Sequence, residues 1–64
     1  MCLSTVYKVH DGSAELFAKN IQNVTNDTAA GEIRLTDIMG IRYSVKGRIL
    51  SIDLVGNKIE IEES

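Results

Sequence analysis

Residues 41–54, IRYSVKGRILSIDL, decide the fold that this sequence predicts. Apolar and polar residues alternate along the stretch, but the alternation changes phase part of the way through. The first four apolar residues have odd numbers and the last three have even numbers: Ile41, Tyr43, Val45 and Ile49, then Leu50, Ile52 and Leu54. Side chains of a regular strand alternate between two faces without a change of phase, so a bulge or sharp bend is expected between Gly47 and Leu50. A long strand bent at a glycine is typical of a small β-barrel.

Short segments rich in Ile, Val, Leu, Thr and Tyr flank this stretch, and turn residues separate them. The predicted strands are residues 2–9, 14–19, 21–25, 32–38 and 58–62, in addition to the bent strand. The predicted turns are Asp11-Gly12, Asn26-Asp27, Met39-Gly40 and Val55-Gly56-Asn57. The first strand has apolar residues on both faces, which places it centrally or at a dimer seam. For residues 13–20 a short helix is the alternative, since several of them favour helix. We therefore predict one all-β domain over residues 1–64, a small SH3-like half-open barrel of five to six short antiparallel strands.

The small size of the chain predicts that it associates with itself. A domain of 64 residues buries only about 60% of the surface of its unfolded chain, so its core is marginal without a supplement. The single cysteine and single histidine exclude an internal disulfide and a self-contained zinc site of four such ligands. Of the usual ways to stabilise a small core, association into a homodimer remains, and we predict it.

The charge and hydropathy of the chain restrict its partners. Seven Lys and Arg against nine Asp and Glu give a net charge of −2, which does not favour nucleic-acid binding. The alternative function is a small RNA-binding or protein-interaction module that uses the surface around Arg42, Tyr43, Lys46 and Arg48. No signal peptide and no apolar run long enough to cross a bilayer are visible, so we expect a cytoplasmic protein without a membrane partner.

Catalysis is not expected, because the residues that it needs are missing or isolated. His10 stands alone before the Asp11-Gly12 turn, and none of the serines lies in a nucleophile-elbow context. A histidine in such a place is usually a solvated polar residue. A role for His10 as a metal ligand is conceivable but has no motif behind it. We predict a protein that is not an enzyme.

Cys2 is the one candidate metal ligand with a chemical argument. If the initiator Met1 is removed, the α-amine and the thiol of Cys2 both lose protons near neutral pH and close a five-membered chelate, which the amide nitrogen of Leu3 can join. Such nitrogen and sulfur donors suit Ni(II) or Cu(II), and Zn(II) is not excluded. If Met1 is retained, its amine with the Cys2 amide and thiolate is the alternative chelate. One chain offers too few donors, whereas two Cys2 residues across a twofold axis complete the coordination. A cysteine that merely packs in the core is the alternative interpretation.

The sequence resembles the CooT family of small nickel-binding proteins over nearly its whole length. The resemblance is carried by Met1-Cys2-Leu3-Ser4-Thr5-Val6-Tyr7, Asp11-Gly12, Gly40, Gly47-Arg48-Ile49 and Ile52-Asp53-Leu54. It implies a homodimeric SH3-like fold in which Cys2 binds Ni(II). It also implies a role in nickel delivery to a client metalloenzyme, carbon monoxide dehydrogenase in the characterised cases. Members of the family have also been labelled as RNA-binding proteins, which the acidic charge and three aromatic residues do not favour.

Overall fold

The structure, a computed structural model, describes residues 3–64, and these residues form five β-strands without a helix. No helix within this range is therefore long and apolar enough to span a membrane. The strands are β1 (Ser4–His10), β2 (Ser13–Asp27), β3 (Glu32–Asp37), β4 (Arg42–Asp53) and β5 (Lys58–Glu63). The predicted all-β class and the number of strands are confirmed. The predicted start of the first strand at Cys2 lies outside the described residues.

The strands follow one another around a barrel in the order of the sequence. Each strand pairs with the next in antiparallel fashion, from β1 to β5. The ring is completed by parallel pairing of β1 with β5, in which Val6 lies opposite Ile59. The first strand therefore has a neighbour on each side, as has every strand of the closed barrel.

The bend predicted in the long strand is present in β4. Its first part pairs with β3 up to Lys46, and its second part pairs with β5 from Gly47 onward. The pairing with β5 is irregular between Ile49 and Ser51, so Leu50 is the extra residue that causes the change of phase. Gly47 has a φ of 156°, and a Cβ atom there would lie 2.1 Å from the carbonyl oxygen of Glu62. Only glycine fits the bend at this close approach of two backbones.

The second strand differs from the prediction. Residues 14–19 and 21–25 were expected to form two strands, with a helix as the alternative over residues 13–20, but both segments belong to one 15-residue strand. Asn20 adopts a left-handed conformation with a φ of 57° and bends the strand between the two segments. Before the bend β2 pairs with β1, and after it β2 pairs with β3, although Ile21 touches both neighbours. Asparagine tolerates this conformation better than most residues other than glycine. The bend therefore needs no glycine, and the sequence around Asn20 contains no turn motif that would predict it.

The core is a single cluster of aliphatic side chains inside the barrel. Its buried members are Val6, Ala18, Ile21, Ile33, Leu35, Val45, Ile59 and Ile61. Phe17, Val24, Tyr43 and Ile49 pack against this cluster and are partly buried. The inward positions predicted for β3 and β5 are confirmed, because Ile33, Leu35, Ile59 and Ile61 are all buried. The phase change in β4 leaves Leu50 and Ile52 more exposed than the earlier apolar residues of the strand.

An aspartate closes each of the three later strand-to-strand connections. Asp27 Oδ1 accepts a hydrogen bond from the backbone N–H of Ala30, after β2. Asp37 Oδ1 accepts from Met39 and Ile41 after β3, and Asp53 Oδ1 accepts from Val55 and Gly56 after β4. A carboxylate that accepts hydrogen bonds from N–H groups two to four residues later in the chain stabilises the turn between them. Without the carboxylate, water would have to bind these N–H groups. The backbone conformation of each turn is therefore held by its aspartate.

Candidate functional site

The predicted metal ligand, Cys2, lies outside the described residues. The structure describes the chain from Leu3 onward, and β1 begins at Ser4. The structure describes the surface around the start of β1. A metal ion bound close to the start of β1 would lie beside this surface.

Two turns flank the start of β1, one on each side. On the β5 side, the backbone N–H of Thr5 donates a hydrogen bond to the carbonyl of Asn57, in the turn between β4 and β5, at 2.8 Å. On the β2 side, Ser4 pairs with Ile21. The preceding residue, Asn20, accepts a hydrogen bond from the N–H of Ile38 at 2.9 Å, in the turn between β3 and β4. Both turns therefore lie beside the entry of the chain into the barrel.

These two turns carry the most exposed large apolar side chains among the described residues. Met39 is 81% exposed, Leu54 82% and Val55 96%. Ile38, Ile41 and Ile52 at the edges of the same turns are each about half exposed. We call these six residues, Ile38, Met39, Ile41, Ile52, Leu54 and Val55, the apolar rim. Apolar side chains gathered near one place on a surface are typical of a contact with another protein.

A buried carboxylate supports one half of the apolar rim. Asp37 is 6% exposed and accepts hydrogen bonds at 2.9 Å from the N–H groups of both Met39 and Ile41. Its second oxygen, Oδ2, accepts from the phenol of Tyr43 at 3.0 Å. This hydrogen bond raises the pKa of Tyr43 above its usual 10.0, and desolvation and the negative charge of Asp37 act in the same direction. The turn is thus held by a carboxylate whose acceptor positions are occupied on both oxygens.

The structure places His10 at the far end of β1 from the apolar rim. Six residue steps along the strand from Ser4 to His10 span about 20 Å. The imidazole is 88% exposed, and its Nε2 lies 3.4 Å from the carboxylate of the neighbouring Asp11. His10 therefore contacts nothing at the entry of the chain. Within residues 3–64, no group of three or more His, Cys, Asp or Glu side chains is arranged to hold a metal ion.

The cationic surface predicted for nucleic acid lacks an exposed aromatic ring and loses one of its charges to an ion pair. Arg48 Nε lies 2.9 Å from Glu62, so its charge is compensated across the β4–β5 pair. Tyr43 turns toward the core and meets Phe17 edge-to-face, with ring centroids 5.7 Å apart. Arg42 and Lys46 remain on the outer face of β4 and form no ion pair within residues 3–64. The four predicted residues do not make one continuous basic surface with an exposed aromatic ring.

The role of Asp37 was not predicted, although the chain contains a signal for it. Asp37 and Asp53 each stand three residues before a glycine, and each closes the turn that this glycine belongs to. An aspartate followed at that spacing by a glycine is a known turn pattern, so both roles were predictable. The partner of Asp37 was not, because nothing local indicates that the hydroxyl of Tyr43 reaches back six residues.

Comparison with known proteins supports the resemblance found in the sequence. Residues 1–62 match the profile of the family described as CO dehydrogenase accessory protein CooT. The fold is similar to the crystal structure of a candidate CooT from Carboxydothermus hydrogenoformans, with a TM-score of 0.85 and 27% sequence identity over 98% of each chain. A comparison with curated proteins gives no match. The chain belongs to the CooT family of carbon monoxide dehydrogenase accessory proteins, and it is an accessory protein rather than an enzyme.

Proposed function

We propose that this protein binds Ni(II) through Cys2 and delivers it to a client metalloenzyme during maturation, with carbon monoxide dehydrogenase as the client. The observation that carries the proposal is the position of the only cysteine of the chain, two residues before the strand that enters the barrel, in a member of a carbon monoxide dehydrogenase accessory family. The proposed place of action is the cytoplasm.

The chemistry of residue 2 fits a nickel cargo. A thiolate with backbone nitrogen donors forms the kind of donor set that Ni(II) and Cu(II) prefer, whereas carboxylates and water suit Mg²⁺ or Ca²⁺. Thiolate ligation displaces a proton, so binding strengthens as the pH rises through the thiol pKa. No second cysteine in the chain competes for the ion.

We propose a homodimer that brings two Cys2 residues to one nickel ion. The apolar rim supports this arrangement, since Met39, Leu54 and Val55 have little protein around them in one chain and stand beside the start of β1. Burial of such side chains against a second copy contributes about 25 cal/mol per Å² of apolar surface. A twofold axis near the rim would bring the two chain starts together.

A site for cargo must release its ion without loss of the fold. The core of the barrel is formed by eight buried aliphatic residues of β1 to β5, and none of them is a metal ligand. We therefore expect the protein to stay folded when a chelator removes nickel, unlike small domains that are folded only with their structural metal.

The proposal of delivery is tested with apo carbon monoxide dehydrogenase that lacks nickel. The nickel-loaded protein should activate this enzyme in the presence of a chelator that captures free Ni(II). The Cys2→Ser variant, treated in the same way, should not activate it. Activation by free Ni(II) at an equal rate, or by both proteins equally, would show that the chain does not deliver the ion.

A further inference from the structure

A polar groove crosses the outer face of strands β2, β3 and β4, and none of the residues that line it belongs to the apolar rim. The strand register places Asn23, Thr36 and Arg42 in one row across the three strands. The next row is formed by Thr25, Arg34 and Ser44. These six side chains line the groove, and Leu35 and Tyr43 also contribute to its lining, although their side chains pack in or against the core. The two rows place six polar side chains close together on one part of the outer face, where a small polar group could contact several of them.

The two arginines of the groove differ in their ion pairing. Arg34 Nη2 lies 2.7 Å from Asp27 Oδ2, and its Nε lies 3.5 Å from Glu32, so its charge is compensated and its side chain is held in place. Arg42 is exposed and forms no ion pair within residues 3–64. No carboxylate is among the residues that line the groove. The groove therefore has one uncompensated positive charge among neutral hydrogen-bond donors.

We infer that this groove binds a single oxyanion, a carboxylate or phosphate group, with Arg42 as its main contact. A guanidinium donates two parallel hydrogen bonds to such a group, and bonds of this type are about twice as strong as those between neutral partners. The hydroxyls of Thr36 and Ser44 flank Arg42 across and along the strands and supply further donors. Arg34, whose guanidinium is held by Asp27, is the register partner of Ser44.

The groove does not favour a nucleic-acid strand as the source of the phosphate. Binding of single strands depends on exposed aromatic rings on which bases stack. The ring of Tyr43 instead packs against Phe17 and its hydroxyl is bound to Asp37. The chain also carries a net charge of −2. One anionic group on a small molecule or a protein side chain fits the groove better than an extended polyanion.

Titration of the full chain with inorganic phosphate and, separately, with acetate tests this inference. Amide chemical shifts are followed by NMR at constant ionic strength, so that a general salt effect is held fixed. At least one of the two anions should cause saturable shifts at Thr36, Arg42 and Ser44. The anion that saturates at lower concentration identifies the source as a phosphate ester or a carboxylate.

A matched pair of variants distinguishes the groove from the overall charge of the protein. Arg42→Gln should weaken anion binding about tenfold, which corresponds to roughly 1.4 kcal/mol, because the charge and the paired hydrogen bonds of the guanidinium are removed. Lys19→Gln changes the net charge equally, at an exposed position that does not line the groove, and should leave the affinity unchanged. Shifts that do not saturate with either anion, or an equal loss in both variants, would overturn the inference. An amide spectrum that stays dispersed shows that each variant is folded.

Discussion

The phenol of Tyr43 donates a hydrogen bond to the buried carboxylate of Asp37, with 3.0 Å between Oη and Oδ2. Asp37 also holds the backbone of Met39 and Ile41, so this one pair connects the core of the barrel with the apolar rim. Tyr43 belongs to β4 and packs against the core cluster. The position of the turn beside the start of β1 thus depends on a side chain in the sheet.

Replacement of Asp37 by Asn should destabilise the protein by about 2 kcal/mol, because the acceptor of the hydrogen bonds from Met39 and Ile41 loses its charge and the phenol of Tyr43 faces an amide donor. Asn has nearly the same shape but presents an amide where the carboxylate accepts. The free energy of unfolding, measured in urea, is the readout. Asp11→Asn is the control, since the side chain of Asp11 is 90% exposed and pairs with the similarly exposed His10; it should change stability by less than about 0.5 kcal/mol. Equal effects of the two substitutions would contradict the role of Asp37.

The stability of the protein should fall at high pH because of Tyr43. Its pKa is raised in the folded state, so the neutral phenol is favoured there. The contribution is fully present below pH 10.0, the usual pKa of the phenol, and is lost as the pH rises through the raised value. Tyr43→Phe should remove this part of the alkaline loss, whereas Tyr7→Phe should retain it. Thermal unfolding measured at a series of alkaline pH values checks this prediction. The same loss of stability with pH in the wild type and Tyr43→Phe would contradict it.

Replacement of Gly47 by Ala should cost about 3 kcal/mol or more, because the added Cβ would overlap with backbone atoms that have little freedom to move. The nearest of these is the carbonyl oxygen of Glu62, at 2.1 Å. Gly31→Ala is the control. It also has a positive φ, of 64°, but open space around it, so it should cost only about 1 to 2 kcal/mol. If urea unfolding gives the same loss for both variants, the bend in β4 does not depend on close backbone contact.

A charge placed on the apolar rim should separate the proposed dimer. Leu54→Glu puts a carboxylate at a position that is 82% exposed in the single chain, so the barrel itself should remain folded. Sedimentation equilibrium should show a dimer for the wild type and a monomer for Leu54→Glu, since burial of an unpaired charge is unfavourable. Leu16→Glu makes the same change at another exposed leucine, in β2, and should stay dimeric. A wild type that sediments as a monomer would contradict the proposed dimer directly.

Most of the barrel could be predicted from the sequence, because the alternation of apolar and polar residues in its strands matches the burial of their side chains. The phase change around Gly47 located the bend in β4, and the alternation in β3 and β5 identified their buried residues. The bend at Asn20 was missed, since a left-handed asparagine leaves no pattern in the neighbouring residues. The apolar rim was missed for a different reason. Parity along a strand assigns Leu54 to a face, but it does not show whether another strand covers that face.

The candidate site was predictable only in part. The chemistry of Cys2 follows from residue type and position alone, without knowledge of the fold. The groove on β2, β3 and β4 depends on residues brought together by strand register, such as Asn23 opposite Thr36 and Thr36 opposite Arg42. Register between distant strands is set by the whole barrel, so no single segment of the sequence contains it.

Titration of Ni(II) into the wild type and Cys2→Ser tests whether Cys2 is the nickel ligand. Calorimetry measures binding in both proteins, and thiolate-to-nickel charge-transfer absorption identifies the ligand in the wild type, because Cys2 is the only cysteine of the chain. His10→Ala is the control for the other candidate ligand. The wild type and His10→Ala should show the same heat of binding and the same absorption, saturating at one nickel ion for every two chains, and Cys2→Ser should show no binding by calorimetry. Mass spectrometry of the same samples identifies whether the chain starts at Met1 or Cys2, and so which amine is available. Equal nickel binding by Cys2→Ser and the wild type would show that Cys2 is not the nickel ligand.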